Sequence, residues 1–528
     1  MTPVATFEFI LLLLVAILGL EVLAHRTRLP PAAALIVGGI ALAFVPGIPA
    51  VSLDPDLVLV LFLPPLLMDG AYFTVWSDFR RHLGGILSLA VGAVAFTTLV
   101  VGVVAHLLVP ALPWAACFAL GAVVSPPDAV AAKAVLARVS LPRRLMVLLE
   151  GESLLNDAAG LVLFRFAVAA ALTGTFSIGA ASLAFGLLAL GGIAVGAVVG
   201  FAWVKLLRFL EDVHLIIAAS FLLPWAAYVG GEAVHVSGVI ATVTAGLIYG
   251  WYQHDILTAD VRLRGTAFWK VMIFLMESFV FVLIGLSLRG VVARFGGPEE
   301  AVRTLALPVS GVVAAVILSR FAWVFGTDVL AASAGRIRGR RGAPASAAAS
   351  AVMSWAGMRG VVTLAIALSL PEAMPGRDLI LAAAFAVILV TVLLQGTTIG
   401  PLIRVLAVGD TEGEDARHLS PALARSRMAQ AQLAVVERLS RDADGVLRHP
   451  RLLEQYGHRA RVAARFSQAP ETFAGDRADH YRVLLATIAA GRAEILRLHR
   501  SGAIHDETLH ALEHDLDLQE MTAETARS

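Results

Sequence analysis

Apolar stretches long enough to cross a hydrocarbon core recur through residues 4–406, and no other feature of the chain constrains its fold so tightly. A core about 30 Å thick needs roughly 20 helical residues to span it. Within it every backbone N–H and C=O must be satisfied by the protein itself, so such segments fold as helices. The candidate spans are 4–24, 32–46, 54–73, 83–109, 113–138, 144–172, 179–208, 213–229, 234–251, 268–289, 302–332, 347–370 and 377–406. Of 528 residues, 58% are hydrophobic and 15% charged, against about 25% charged in an ordinary soluble domain. The predicted class is an all-α polytopic membrane protein with about thirteen transmembrane helices in a lipid bilayer.

A net charge of +1 gives no bias toward nucleic acid or acidic substrates. The single Cys117 excludes an intramolecular disulfide framework and a cysteine metal cluster. Loop charge predicts orientation, because basic loops stay on the cytoplasmic side. Basic residues follow the odd-numbered spans, as at Arg26 and Arg28, Arg80 and Arg81, Arg143 and Arg144, Lys205 and Arg208, Arg262 and Arg264, and Arg338 to Arg341. The loop after span 10 breaks the pattern, with Arg289 and Arg294 beside Glu299 and Glu300. The reading is an N-terminus outside and a long C-terminus inside the cell (inner) membrane. The first apolar run carries Glu8 and has its positive charge behind it, which suits a membrane span better than a cleavable leader. Residues 1–409 form the transmembrane domain and 410–528 a polar, helical cytoplasmic tail. No nucleotide loop, metal spacing or catalytic signature marks the tail. It is read as a solvated helical extension, with a regulatory role as the alternative.

Carboxylates stand where a membrane should exclude them. Asp128 lies in span 5 and Asp157 in span 6, either side of a short basic loop. About ten residues from Arg138 to Asp128 give roughly 15 Å of helix, and about fourteen from Arg143 to Asp157 give roughly 21 Å. Both acids fall near mid-depth and can meet. A charge at that depth costs about 2.5–3.5 kcal/mol on insertion scales, so it marks a functional site by default.

Two spans carry signs of interruption. In Ser125-Pro126-Pro127-Asp128 the serine is expected to cap a new half-helix, proline suits its first position, and the acid favours its positive end. Span 12 holds the counterpart, Ser354-Trp355-Ala356-Gly357-Met358-Arg359-Gly360. Spans 5 and 12 are an odd number apart and so cross the membrane in opposite senses. Interrupted helices in opposed repeats point to a transporter site between them. Asp128 is expected to offset positive helix ends and Arg359 negative ones, without carrying cargo.

On span 6, Ser153 and Asp157 are four apart on one face, with Glu152 and Asn156 paired beside them. An alkali cation wants hard oxygen ligands. The Asp157 carboxylate, the Ser153 hydroxyl and a freed carbonyl near Ser125 or Pro126 would hold Na+. Burial disfavours an ionised carboxyl and a bound cation favours it, so one aspartate holds either a proton or a cation. Asp69, after Pro64-Pro65, is a third oxygen ligand, a partner of Arg359 or a helix-end acid. Glu277 and Arg320 are expected to pair across helices, and Glu152 to join a supporting network with Ser125 and Pro127. Glu150 and Lys133 fall nearer the interface, and Arg165 and Asp328 have no assigned place.

With EGESLLND (150–157), SPPDAVAA (125–132), FLPPLLMDGAYF (62–73) and GMRGVVTLAIALSLP (357–371), residues 5–406 resemble the monovalent cation/proton antiporter family, in its bacterial sodium/proton exchanger branch. The resemblance implies thirteen helices with two inverted six-helix repeats, a homodimer, and a core moving as an elevator against a dimerisation domain. It also implies that Asp157 is the exchanging carboxylate, that Asn156 stabilises the crossing, and that Ser153 and an acid on span 3, Asp69, help hold the ion. Asn before the aspartate goes with electroneutral exchange, whereas Asp-Asp members are typically electrogenic. The chain departs at Pro127, where many relatives have threonine, so no side-chain hydroxyl is available there.

The expectation is secondary antiport of Na+ (or Li+) against H+, with K+/H+ antiport or a gated cation channel as alternatives. No cofactor is implied, and no nucleophile constellation among the spans suggests an enzyme.

Overall fold

The computed structural model describes residues 3–27, 29–46, 55–128, 141–174, 178–294, 298–337, 346–408, 419–441, 446–468, 474–501 and 503–527. Among these every named element is a helix, apart from one isolated bridge between Arg441 and Leu447. The helices are α1 (Pro3–Thr27), α2 (Pro31–Ala43), α3 (Pro55–Phe73), α4 (Trp76–Leu108), α5 (Trp114–Val124), α6 (Arg143–Thr173), α7 (Ile178–Leu207), α8 (Val213–Ala233) and α9 (Gly238–Ile256). They continue as α10 (Ala259–Arg294), α11 (Pro298–Ile337), α12 (Ala347–Trp355), α13 (Val361–Leu368) and α14 (Arg377–Leu406). Four more follow, α15 (Pro421–Leu439), α16 (Pro450–Gln468), α17 (Ala474–Arg500) and α18 (Asp506–Arg527).

Each of the thirteen candidate spans contains helix among its described residues, yet only 8 helices there are both long and apolar enough to cross a membrane alone. The shortfall has a local cause at two places. Span 5 is described as α5, which stops after 11 residues, and span 12 is split into α12 and α13, of 9 and 8 residues. The count of thirteen is therefore not established.

The chain divides into two compact units, Met1–Asp410 and Thr411–Ser528. In the first, glycines let backbones approach as they do in lipid-embedded bundles, where small residues replace the hydrophobic drive. Gly39 and Gly285 bring α2 and α10 together, and a Cβ at either would collide with the facing backbone carbonyl. Gly192 and Gly196 do the same for α7 against α9. The opposite side of α7 exposes Leu183, Leu187, Leu190 and Val198, an apolar face suited to acyl chains. Among helices α4 to α6, Gly121 seats α5 on the Thr98 carbonyl of α4, while Gly151 of α6 receives Ile86 of α4.

Helices α4 and α14 each contain a π-helical turn, at Ser88–Ala93 and Thr391–Gln395. Such turns recur where a helix must re-aim its side chains at a functional site. The second unit contains two helical hairpins, α15 on α16 and α17 on α18. The latter is tied by Arg492, whose Nη2 donates to Asp517 Oδ1 (2.7 Å) and Glu520 Oε2 (2.5 Å).

Candidate ion-binding site at the crossing of two broken helices

Two interruptions meet. Helix α5 ends at Val124, and Ser125 to Asp128 leave the helical path. Pro126 and Pro127 have no N–H, so an incoming helix cannot continue its ladder through them. Helix α12 ends at Trp355, and α13 begins at Val361 after Gly357-Met358-Arg359-Gly360. The Asp128 backbone N–H donates to the Met358 carbonyl at 2.7 Å, joining break to break.

Arg359, 1% exposed, donates from Nε to the Val124 carbonyl (2.9 Å) and from Nη2 to the Ser125 carbonyl (3.1 Å). Its Nη1 donates to the Gly357 carbonyl. These acceptors include the last, unsatisfied carbonyls of α5, where the macrodipole is negative. The Asp128 carboxylate lies against Gly360, immediately before the first turn of α13, where the dipole is positive. A side chain at Gly360 would displace it. The Arg359 N–H donates to Thr391 Oγ1 (3.1 Å), the residue that opens the π turn of α14.

Ser125 serves the preceding helix rather than capping the next one. Its Oγ donates to the Ala122 carbonyl (3.2 Å) and accepts from Thr98 Oγ1 (3.1 Å). Its own backbone is αR, and residues 126–128 are not yet helical, so it stands too early to be an N-cap. Any following half-helix, with Lys133, lies outside the described residues.

Helix α6 presents its carboxamide and carboxylate to this crossing. Asn156 is fully buried, and its Nδ2 donates to the Pro127 carbonyl at 2.5 Å. One turn further, Gly160 leaves room for the Pro126 ring, which any side chain there would strike. Asp157 is 8% exposed. Among the described residues no hydrogen-bond donor is committed to Asp157, and Asn156 Oδ1 has no partner. Half-buried Ser153 stands one turn before Asp157 on the same face.

The partner of Arg320 is Glu152, not Glu277. Arg320 Nη1 and Nη2 reach Glu152 Oε1 and Oε2 at 2.5 and 2.8 Å, with the two side chains only 3% and 2% exposed. Arg320 Nε also donates to the Met353 carbonyl (3.2 Å) near the end of α12, and its Cδ packs on Gly357. Helices α6, α11 and the second break are thereby locked together, while Glu277 is half-buried on α10.

Asp69 is half-buried on α3 and lines a cleft with Tyr72, Ser220, Tyr249, Arg262 and Trp269. The next residue, Gly70, approaches Leu154 of α6, one turn from Asp157. The hydrogen bonds of the Arg359 guanidinium run to backbone carbonyls, so the alternative of an Asp69–Arg359 pair receives no support. Two charges without an earlier assignment find places. Asp328 Oδ2 accepts from Ser350 Oγ (2.5 Å), and Arg165 lies 3.6 Å from Glu232.

A helix end and a helix break joined from Asp128 to Met358, with opposite charges at the helix ends and a buried carboxylate on the next helix, are features of membrane carriers built on discontinuous helices. The family model "Sodium/hydrogen exchanger, transmembrane" matches residues 10–405, and the chain belongs to that family. It is 34% identical to an uncharacterised Na+/H+ exchanger of Mycobacterium tuberculosis, over 97% of this chain and 95% of the relative. It is 33% identical to a sodium, potassium, lithium and rubidium/H+ antiporter of Bacillus pumilus, over 75% of this chain and 61% of that protein. In fold it resembles the sodium proton antiporter MjNhaP1 from Methanocaldococcus jannaschii, with a TM-score of 0.60 and 20% identity over 76% of this chain and 99% of that one.

Proposed function

We propose that the chain is a secondary antiporter exchanging Na+ (or Li+) for H+ through Asp157, one cation for one proton. The observation that carries this reading is a buried carboxylate, Asp157, adjacent in sequence to Asn156, which fixes the Pro127 carbonyl, and one turn from Ser153. Carboxylate, hydroxyl and freed carbonyl are the hard oxygens that an alkali cation takes. A carboxylate that holds a cation must first release its proton, so the two cargoes exclude one another. Asp69, on the helix that touches α6 at Leu154, supplies a further oxygen when the cation is bound.

Asp128 and Arg359 have opposite charges and face opposite helix ends, so neither needs to titrate for the crossing to persist. Asn156 is neutral. That leaves one exchanging charge, which favours electroneutral turnover. Bonds linking α5, α6, α11, α12 and α13 suit a core that moves as one body, elevator fashion, against α2, α7, α9 and α10. On this reading the protein is a homodimer in the cell (inner) membrane, with the N-terminus outside and the tail cytoplasmic. A second reading, K+/H+ exchange, is favoured by the Bacillus relative, whose name includes potassium and rubidium.

Proton flux in proteoliposomes tests both. Imposed gradients of Na+ and Li+ are expected to drive proton movement at the same rate with and without a membrane voltage. A K+ gradient giving the faster flux would select the second reading. Voltage-dependent flux would contradict electroneutrality, and a downhill cation current without proton movement would indicate a channel.

A further inference from the structure

A second cleft lies at the start of α6 and is lined by Phe73, Thr74, Asp78, Arg143, Val147 and Glu150. Glu150, Ser153 and Asp157 follow one another at i, i+3 and i+7, a single face of α6. From Glu150 to Asp157 the helix rises roughly 10 Å. The cleft therefore lies at the N-terminal end of the helix face that carries the exchanging carboxylate, with Glu150 two turns before it.

Its mouth holds an ion pair. Arg143, the first residue of α6, donates from Nη2 and Nε to Asp78 Oδ2 at 2.7 and 2.9 Å. Asp78 is buried in the first turn of α4, while the Arg143 side chain is half-exposed. Packing of α4 on α6 does not depend on this pair. Gly85 against Leu148 and Gly151 against Ile86 already bring the two helices into close contact, and the half-exposed Arg143 leaves the pair open to solvent screening, which reduces what it adds to stability. Its effect falls instead on the charge of the opening.

We propose that this cleft is the cation's entry from the side of the basic loops, with Glu150 drawing the cation inward and Arg143, held by Asp78, setting the charge at the mouth. The inference rests on the exchange reading above. Arg143→Gln leaves Asp78 negative and makes the mouth more attractive to a cation. Asp78→Asn leaves Arg143 positive and makes it less so. Glu150→Gln removes the inner acid. In water a charge about 10 Å from the site, as at Glu150, changes cation affinity there by roughly twofold, and one about 20 Å away, as at Arg143 and Asp78, by roughly 1.4-fold, less at high salt.

The test is the KM for Na+ of sodium-driven proton movement in inside-out membrane vesicles, which present the tail side. The expected result at low ionic strength is a KM raised roughly twofold by Glu150→Gln and roughly 1.4-fold by Asp78→Asn and lowered roughly 1.4-fold by Arg143→Gln, the change falling on KM more than on kcat. Opposite signs from the two halves of one ion pair are the decisive readout, because loss of a merely structural contact moves both the same way. If Asp78→Asn does not reach the membrane, Glu150→Gln against Arg143→Gln gives the same contrast. Equal or same-direction shifts overturn the entry assignment while leaving exchange intact. Absence of sodium-driven proton movement in the unmodified protein overturns the exchange reading itself.

Discussion

Asp157→Asn is expected to reduce cation-driven proton flux to that of empty liposomes while leaving the protein folded. The amide keeps the shape of the carboxylate but has neither an exchangeable proton nor a negative charge for the cation. Stability is expected to hold or rise. The substitution removes a buried carboxylate. The measurement is the thermal midpoint of detergent-purified protein beside the flux assay. A variant with lowered stability and partial flux would identify Asp157 as a packing residue rather than the carrier of the exchanged charge.

Glu152→Gln is expected to cost about 3–5 kcal/mol, since it strands a buried guanidinium without its counter-ion. Arg320 is 3% exposed and also holds the Met353 carbonyl, so its displacement loosens the second break as well as α6. Replacing both partners, as Glu152→Leu with Arg320→Met, is expected to recover most of the loss, because an apolar pair of similar volume leaves no charge behind. Denaturant unfolding of the two single variants and the double variant, read as a cycle, checks this. A Glu152→Gln protein as stable as the parent would show that the pair is not what fixes α11 to the crossing.

The breaks were legible in the sequence because their causes are local. Pro126-Pro127 removes two backbone donors and Gly357 to Gly360 brackets an arginine, and both signals survive without any knowledge of neighbours. The charges were legible for a similar reason, since Asp128, Asp157 and Arg359 are conspicuous in apolar surroundings. What the sequence left open is partner choice across the bundle. Glu152 and Arg320 are 168 positions apart, and nothing local separates Glu152 from Glu277 as the acid that Arg320 meets. Ser125 illustrates the same limit at short range. A serine before proline reads as the start of a helix, but a vacant Ala122 carbonyl one turn back and Thr98 across the interface take its hydroxyl.

Gly160 and Thr391 escaped notice because their roles exist only in three dimensions. Each sits within an apolar run, where a glycine or threonine is unremarkable until Pro126 or the Arg359 N–H is placed beside it. The available signal for Gly160 was its position, one turn beyond Asn156 on the same helix face.

The most direct test of shared occupancy at Asp157 is the number of protons released as Na+ binds to the purified protein in weakly buffered solution. The account requires about one proton released for each cation bound, and none from Asp157→Asn. Stoichiometric sodium binding with no proton release from the unmodified protein would contradict it.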